Sequence, residues 1–469
     1  MRRYLVSVSA GVGLLMYAID STAVAVAFPS FIKDFNTNVL WAGWTISIYL
    51  VAITSIMPLM GNLSDTFGRK KVFVYSLVLF TVSSLACGLA PDIYCLVGFR
   101  FLQGVGGASF LPTAAGIMSD QFPEHRARAI GLLTSIFPIG GIIGPNLGGW
   151  IVSQYSWRYI FYVNLPIGIA LTALMILWLE DTKILTRPPI DFWGASFFFG
   201  TILFLMLGLN FLAENFSRSA LLLPVPFLAA SFSFLCLFLR QEKKEVNPIL
   251  DMTLLRSRPF LATNIYNMVL GAGIFGIVSF IPFYATSVHR VSTLVSGMVV
   301  TPRFIGAIPA SAATSFLLHR WGYRWPIILG STLISLSIVL LAGPEFELFR
   351  RIGIRSGPAE ILAVLMLANG IGIGIVLPPS NNACIELMPE RVATITGLRG
   401  MFRSVGGAIG ISVITIILHS SDSPANGFRI AFISFGLGLL FTIPLVFLMP
   451  TGKERREMRL KAVKVEEQK

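Results

Sequence analysis

The eleven residues GNLSDTFGRKK, at positions 61–71, form a polar link between two long apolar stretches of the chain. Gly61 and Gly68 permit a tight turn and close contact between helices, because glycine has no Cβ. Asp65 can meet a helix N-terminus or a basic partner, and Arg69 can clamp a carboxylate. An ordinary basic loop needs none of this spacing, so the segment predicts a specific turn between the two helices that it joins.

The composition places the whole chain in a membrane. Of the 469 residues, 55% are hydrophobic and 13% are charged, and the mean hydropathy is +0.76. A soluble domain carries roughly 25% charged residues. The apolar runs approach the roughly 20 residues of a transmembrane helix and exceed the roughly 10 of a barrel strand. The sequence therefore predicts an all-α polytopic membrane protein and excludes a disordered chain, a collagen and a disulfide scaffold.

Fourteen apolar segments follow one another along the chain. They lie near residues 5–31, 40–61, 72–90, 93–118, 129–153, 159–180, 192–212, 219–239, 259–285, 293–317, 326–343, 359–386, 395–419 and 427–450. Counted by alternate connectors, 24 Lys and Arg residues lie on the side of the termini and 8 on the opposite side. Because cytoplasmic loops carry the excess of basic residues, we expect a multi-pass protein of the inner or cell membrane with both termini in the cytoplasm.

An internal repeat relates the two ends of the chain. A shift of 266 positions aligns 104–144 with 370–410, with 13 identities in 41 ungapped pairs, and a shift of 254 aligns 64–69 with 318–323. The predicted domains are an N-terminal six-helix half at 1–180, two extra helices at 181–258, a C-terminal six-helix half at 259–450 and a cytoplasmic basic tail at 451–469. Two halves that cross the membrane in the same sense are a transporter arrangement, with the substrate path between them.

Further motifs accompany the 61–71 segment. They are IDSTAVAVAFP at 19–29, RFLQGVGGA at 100–108, GGIIGPNLGG at 140–149, WRYIFYVNLP at 157–166, Pro302-Arg303 and RSVGG at 403–407. With these motifs the chain resembles the fourteen-span drug:proton antiporters of the major facilitator superfamily. That family usually has Asn where Ala25 stands. The likeness extends from the first span to the thirteenth.

The resemblance implies a major facilitator fold, with two six-helix halves and two extra central helices. It also implies a multidrug efflux antiporter that uses the proton gradient and needs no cofactor. In similar antiporters a functional acid lies in span one and an arginine in the fourth-span motif. The candidates for conformational or gating roles are Gly61, Asp65, Gly68, Arg69, Gly104, Gly140, Gly144, Pro145 and Gly148. Simple helix packing is the alternative for the glycines.

Two opposite charges in the apolar segments are expected to meet. A charge at the centre of a spanning helix costs about 2.5–3.5 kcal/mol on insertion scales, so each needs a partner or a watery cavity. At 1.5 Å per residue, Asp20 and Arg100 both lie roughly 8–11 Å below the outer edge of a 30 Å core. We predict that Asp20 carries the coupled proton and that Arg100 responds to its charge. A static buried ion pair that fixes helix register is the alternative.

Other polar and aromatic residues in the spans are weaker candidates. Arg303, Arg403 and Glu386 are possible cavity charges, although Glu386, Arg399 and Arg403 also suit a structural role near the inner ends of their spans. A mixture of aromatic and amide side chains suits amphipathic or cationic cargo. The possible substrate contacts are Trp44, Tyr49, Phe110, Asn264, Asn267, Phe275, Asn369, Asn381 and Asn382. Plain packing is the alternative for each.

The leading functional prediction is proton-coupled export of lipophilic or cationic compounds by alternating access. A lipid or glycolipid transporter of the same fold, a proton-coupled uptake symporter and an intramembrane lipid-modifying enzyme are the alternatives. The sequence has no H-E-x-x-H, nucleophile elbow or Walker motif, which disfavours an enzyme. Its four cysteines lie in apolar segments and suggest no metal site, and its basic residues are scattered over short connectors, which disfavours nucleic acid. We expect a monomer whose partners are substrate, protons and membrane lipids.

Overall fold

The computed structural model of the chain describes residues 2–122, 124, 129, 131–133, 135–180, 191–214, 224–245, 257–343, 357–387 and 392–449. These residues form helices and turns, and none of them lies in a strand. The basic tail at 451–469 and most of the connector around 123–130 lie outside the described residues.

The helices follow the apolar segments of the sequence. They are α1 Arg2–Ala23, α2 Phe28–Asp34, α3 Val39–Phe67, α4 Arg69–Gly88, α5 Ile93–Gly107, α6 Phe110–Gln121, α7 Ile136–Gln154, α8 Arg158–Tyr162, α9 Asn164–Trp178, α10 Phe192–Glu214, α11 Pro224–Glu242, α12 Arg258–Gly271, α13 Val278–Ser287, α14 Thr293–Met298, α15 Thr301–Trp321, α16 Arg324–Leu341, α17 Pro358–Leu387, α18 Val392–His419, α19 Pro424–Leu440 and α20 Ile443–Val446. A 3₁₀ turn, Val24–Ala27, joins α1 to α2, and a π-helical turn, Ala272–Ile277, joins α12 to α13.

In the described part of the chain, thirteen helical stretches are long and apolar enough to cross a membrane. The predicted fourth span is the exception, because Ala108 and Ser109 interrupt it between α5 and α6. The interruption follows Gly104, Gly106 and Gly107, and glycine is a weak helix former. Each of the fourteen predicted segments contains helix, so the predicted fold class is confirmed.

Local signals in the sequence set several helix ends. The side chains of Asn38 and Asp92 accept backbone N–H groups at the starts of α3 and α5. The hydrogen bond from the Cys95 N–H to exposed Asp92 lowers the pKa of that carboxyl below its ordinary value. Between α3 and α4, Gly68 adopts a φ of 95°, a backbone conformation that favours glycine. The turn predicted from residues 61–71 is therefore present.

The described residues pack as two units. The first unit comprises Met1–Ile249, Phe275–Thr301 and Ala408–Phe428, and the second comprises Leu250–Ile274, Pro302–Gly407 and Arg429–Lys469. This grouping by packing differs from the grouping by sequence repeat, because stretches of the C-terminal half belong to the first unit. The four domains expected from the sequence stay a prediction.

Within the first unit, the segment 275–301 packs against helices of the N-terminal half. The Phe28 ring lies 5.1 Å from the rings of both Phe280 and Phe283. The Asn146 amide donates to the Thr301 hydroxyl at 2.6 Å. These contacts lie near the C-terminal end of α1.

Within the second unit, polar side chains join the helices inside apolar surroundings. Tyr266 and Ser331 share a hydrogen bond of 2.7 Å between α12 and α16. The Asn369 amide donates to Ser337 at 3.1 Å, which joins α17 to α16. Because a polar group in lipid has no water to bind, such bonds add specificity to the packing of otherwise apolar helices.

The two halves share a pattern of glycine-mediated helix crossings. A Cβ added at Gly104 would lie 2.9 Å from the Tyr49 carbonyl oxygen, and one added at Gly370 would collide with the Arg303 carbonyl. The shift of 266 relates the glycines, and the shift of 254 relates Tyr49 to Arg303. The same shifts relate a second pair of crossings, Gly106 with Phe80 and Gly372 with Ile334. The packing of α3 on α5 therefore corresponds to that of α15 on α17.

We predict that Gly104→Ala destabilises the protein by about 1–3 kcal/mol, because the added methyl group would force apart two backbones in contact. Gly98→Ala, in the same helix, is the matched control, since nothing lies within 4 Å of a Cβ at Gly98. The measurement is the fraction of detergent-solubilised protein that stays monodisperse after heating. Equal midpoints for the two variants would contradict the close crossing.

Candidate functional site

The two predicted charges form an ion pair inside the first unit. Asp20 lies near the end of α1, and Arg100 lies in the middle of α5; they are 1% and 0% exposed. Nη1 of Arg100 donates to Oδ2 of Asp20 at 2.7 Å. The depths estimated from the sequence therefore placed the two side chains within reach of each other.

Two neutral amides complete the surroundings of the Asp20 carboxylate. Nε2 of Gln103 and Nδ2 of Asn164 donate to Oδ1 of Asp20 at 2.9 and 3.0 Å. The same two amides donate to the Ser84 hydroxyl at 3.2 and 3.0 Å. Ser84 in turn donates to the Phe161 carbonyl at 2.9 Å. The two oxygens of Asp20 thus accept three hydrogen bonds in a site without contact to solvent, as a buried polar group requires.

The Arg100 guanidinium has partners besides Asp20. Its Nε donates to the Thr45 carbonyl at 3.0 Å, and its Nη1 also donates to Oε1 of Gln103 at 2.7 Å. Its central carbon lies 3.8 Å from the centroid of the Tyr49 ring, in cation–π contact. If Asp20 took up a proton, Arg100 would keep a carbonyl, an amide and an aromatic face. The arrangement therefore permits a change of charge at Asp20 without leaving the arginine unsolvated.

Sequence reasoning missed the amides and the hydroxyl of this network. Gln103 and Asn164 lie within the motifs at 100–108 and 157–166, but neither was predicted as a site residue. The available signal was a large polar amide within an apolar helix, because such a group needs a partner once it is buried. That signal indicates a polar contact without identifying the partner.

The glycine-rich helix α7 lies against the part of α1 that carries Asp20. Cβ atoms added at three of its glycines would press on the α1 backbone and side chains; the pairs are Gly140 with Ala18, Gly144 with Ile19 and Thr22, and Gly148 with Ala23. Pro145 lies within the same helix, between two of these contacts. The candidate gating residues of 140–149 are thus in direct contact with the helix of the candidate proton carrier.

The 61–71 segment makes a separate cluster at the ends of α3, α4 and α6. Arg69 donates to the Gly116 carbonyl and pairs with Asp120 at 2.7 Å, while Asp65 lies 3.5 Å away. The sequence predicted that Arg69 binds a carboxylate. The nearer of its two carboxylate partners belongs to Asp120, which was not among the predicted site residues. Both acids are exposed, so the ion pairs alone are worth only about 0–1 kcal/mol.

The possible substrate contacts fall into two groups. In the first unit, Trp44 and Tyr49 are buried on α3, and Phe110 is fully buried among Tyr17, Phe73 and Phe80. Phe275 also belongs to the first unit and is half-buried. The candidates in the second unit are the buried Asn264, Asn267 and Asn369 and the half-buried Asn381 and Asn382. Asn267 accepts the Ser380 hydroxyl at 3.0 Å. Their contact with substrate stays a prediction.

The possible cavity charges all belong to the second unit. Arg303 is buried and donates to the Ile274 carbonyl at 3.3 Å. Glu386 accepts the Tyr323 hydroxyl at 2.6 Å, and Arg403 is half-buried in α18.

A family model described as "Major Facilitator Superfamily" matches residues 10–192, 189–411 and 291–466. The chain belongs to the major facilitator superfamily. The recognition made from the motifs is therefore confirmed.

Similar members of the superfamily carry names of drug transporters. The chain is 29% identical to the Multidrug transporter protein MdtP of Bacillus subtilis, over 87% of this chain and 74% of that protein. It is 28% identical to the Multidrug resistance protein B homolog of Mycobacterium tuberculosis, over 87% and 76% of the two chains. It is 27% identical to the Tetracenomycin C resistance and export protein of Streptomyces glaucescens, over 87% and 74%.

Solved structures share the superfamily fold. A bacterial homolog of the human lysosomal transporter Spinster, in an inward-facing and occupied conformation, superposes with a TM-score of 0.66 at 16% identity, over 95% and 96% of the two chains. A point mutant of the nucleoside transporter NupG gives a TM-score of 0.67 at 12% identity, over 95% and 100%. At these identities the likeness concerns the fold alone.

We predict that Asn164→Leu destabilises the protein by about 1–3 kcal/mol, because the buried Asp20 carboxylate and Ser84 hydroxyl would each lose a hydrogen bond. The measurement is the fraction of detergent-solubilised protein that stays monodisperse after heating. Asn426→Leu, at an exposed asparagine, is the matched control. Loss of monodispersity at the same temperature in both variants would contradict a role for the amide.

Proposed function

We propose that this chain exports drug-like small molecules in exchange for protons, with Asp20 as the proton carrier and Arg100 as the group that responds to its charge. The observation that carries the proposal is a fully buried carboxylate paired at 2.7 Å with a fully buried arginine that has other partners. The names of the similar proteins support export of drugs.

The network gives protonation a mechanical consequence. With Asp20 ionised, its bonds to Arg100, Gln103 and Asn164 hold α1 against α5 and α9. Protonation removes the charge, converts one acceptor oxygen into a donor, and so loosens that hold. Substrate and proton then alternate, because each favours a different state of the same contacts.

The chain that follows Asp20 connects this site to the segment 275–301 of the same unit. Asp20 lies four residues before the 3₁₀ turn, and Phe28 follows that turn directly. Phe28 packs on Phe280 and Phe283 of the segment 275–301. A shift of α1 on protonation would therefore act on those aromatic contacts, which are suited to open and close one end of a substrate path.

The proton gradient is a sufficient energy source for this exchange. The membrane potential contributes about 2.3 kcal/mol per charge per 100 mV, so one or two protons can drive extrusion against a concentration gradient. The proposal includes no cofactor and no enzymatic step. It places the chain in the cell membrane as a monomer, with both termini in the cytoplasm as the 24 to 8 distribution of basic residues predicts.

We predict that Asp20→Asn abolishes substrate-driven proton flux in proteoliposomes while the protein stays folded and binds substrate. The asparagine retains the shape of the side chain and one acceptor oxygen but cannot take up and release a proton in the physiological range. Flux is measured with a pH-sensitive dye in the lumen, and folding by size-exclusion chromatography.

Glu180→Gln is the matched control, because it removes the acid of an exposed ion pair with Arg2. That variant should transport at the wild-type rate. Unchanged coupling in Asp20→Asn would overturn the assignment, and loss of folding would favour a static structural pair. Transport in inverted vesicles tests direction, since uptake rather than extrusion would point to a symporter.

A further inference from the structure

Arg303 is a buried cation that forms no ion pair with any acid in the described part of the chain. It lies at the third position of α15 and is 6% exposed. Its Nη2 donates to the Ile274 carbonyl at 3.3 Å, and its Nε has no hydrogen-bond partner. The ion pairs among the described residues involve Arg2, Arg69 and Arg100, and none includes Arg303. A buried charge is unfavourable unless an opposite charge or several polar groups surround it.

Arg303 is packed between a π-helical turn and a glycine-mediated helix crossing. Ile274 lies in the π-helical turn Ala272–Ile277, and such turns often mark functional sites. On the other side of Arg303, Gly370 of α17 brings that helix against the Arg303 backbone, where any side chain would collide. The Arg303 backbone is thus packed against α17, while its guanidinium donates to the π-helical turn and its buried Nε has no hydrogen-bond partner among the described residues.

The internal repeat relates the crossing that carries Arg303 to the crossing that carries Arg100 in the N-terminal half. The shift of 254 relates Arg303 to Tyr49, whose ring lies beneath Arg100 in the first unit. The shift of 266 relates Arg100 itself to Met366, which is fully buried. In the N-terminal half the cation has an acid, Asp20. In the C-terminal half the cation lies on the other helix of the crossing, and none of the described acids pairs with it. A bound ligand is therefore a suitable source of the counter-charge.

We propose that Arg303 binds an acidic group of the transported compound, a carboxylate, sulfonate or phosphate on an apolar skeleton. The proposal rests on the proposed export function and narrows its cargo from lipophilic compounds in general to lipophilic acids. A guanidinium suits oxyanions because its planar donors match their geometry. The same charge disfavours a cationic compound in this unit, because like charges repel more strongly where water is excluded.

The test compares a lipophilic acid with its uncharged methyl ester. The probes are 1-pyrenebutyrate and its methyl ester, and binding to protein in phosphatidylcholine nanodiscs is followed by fluorescence anisotropy. Wild-type protein should bind the acid at least about tenfold more tightly than the ester, as expected for a hydrogen bond to a charged group. Arg303→Gln should remove that preference and leave ester affinity unchanged, and Arg303→Lys should restore part of it.

Arg324→Gln is the matched control. Arg324 is a half-buried arginine of α16 that donates to the Phe447 carbonyl, and its loss should leave the acid preference intact. The proposal is overturned if wild-type protein binds acid and ester equally, or if Arg303→Gln keeps the preference. If Arg303→Gln fails to fold, Arg303→Lys decides the matter, because a purely structural arginine would give no loss of acid preference at unchanged ester affinity.

Two further measurements distinguish cargo recognition by Arg303 from lipid binding and from the proposed proton coupling. An acid preference that disappears when the nanodiscs contain phosphatidylglycerol would identify a lipid headgroup as the occupant of Arg303 and overturn the assignment to cargo. Asp20→Asn should retain the acid preference, since Asp20 and Arg303 belong to different packing units. Failure of proton coupling therefore leaves this prediction standing, and failure of acid recognition leaves proton-coupled export of neutral compounds standing.

Discussion

The structure of the N-terminal half depends on a carboxylate and a guanidinium that are both withdrawn from solvent. Burying either charge alone would cost several kcal/mol, so the pair is stable only with close contact and further hydrogen bonds. Arg100 at 2.7 Å, the amides of Gln103 and Asn164, and the Tyr49 ring meet that requirement. Helices α1, α3, α4, α5 and α9 each contribute a group to this network, which therefore fixes their rotation about their own axes.

Close packing through glycine complements the polar network. Apolar helices in lipid gain no hydrophobic free energy from contact with one another, so small residues that let backbones approach decide which faces meet. Gly104 sets α5 on α3, and the glycines of α7 set it on α1 beside Asp20. The same residues leave little room for adjustment, so a change of charge at Asp20 is expected to move whole helices rather than single side chains.

The two halves of the chain share a plan of crossings but differ in their charges. The crossings of α5 on α3 and of α17 on α15 use residues that the two shifts relate. The N-terminal half places a paired cation at this crossing, whereas in the C-terminal half Arg303 pairs with none of the acids that the structure describes. Position 319 likewise carries His where the repeat has Asp65. On our two proposals, a duplicated scaffold has separated two tasks, with proton exchange in one half and recognition of a charged cargo in the other.

The sequence by itself determined the class of fold, the order of the spans, the turn at 61–71 and the depth of Asp20 and Arg100, because these follow from the length of apolar runs and from the rise of a helix. Only the tertiary structure decided the partners: Asn164 on Asp20, Asp120 on Arg69, and the Ile274 carbonyl on Arg303. It also revealed the break between α5 and α6 and the π-helical turn after Gly271. Segments that are apolar on every side carry no signal of which face is turned inward, so helix rotation, and with it every contact between side chains, is set by packing.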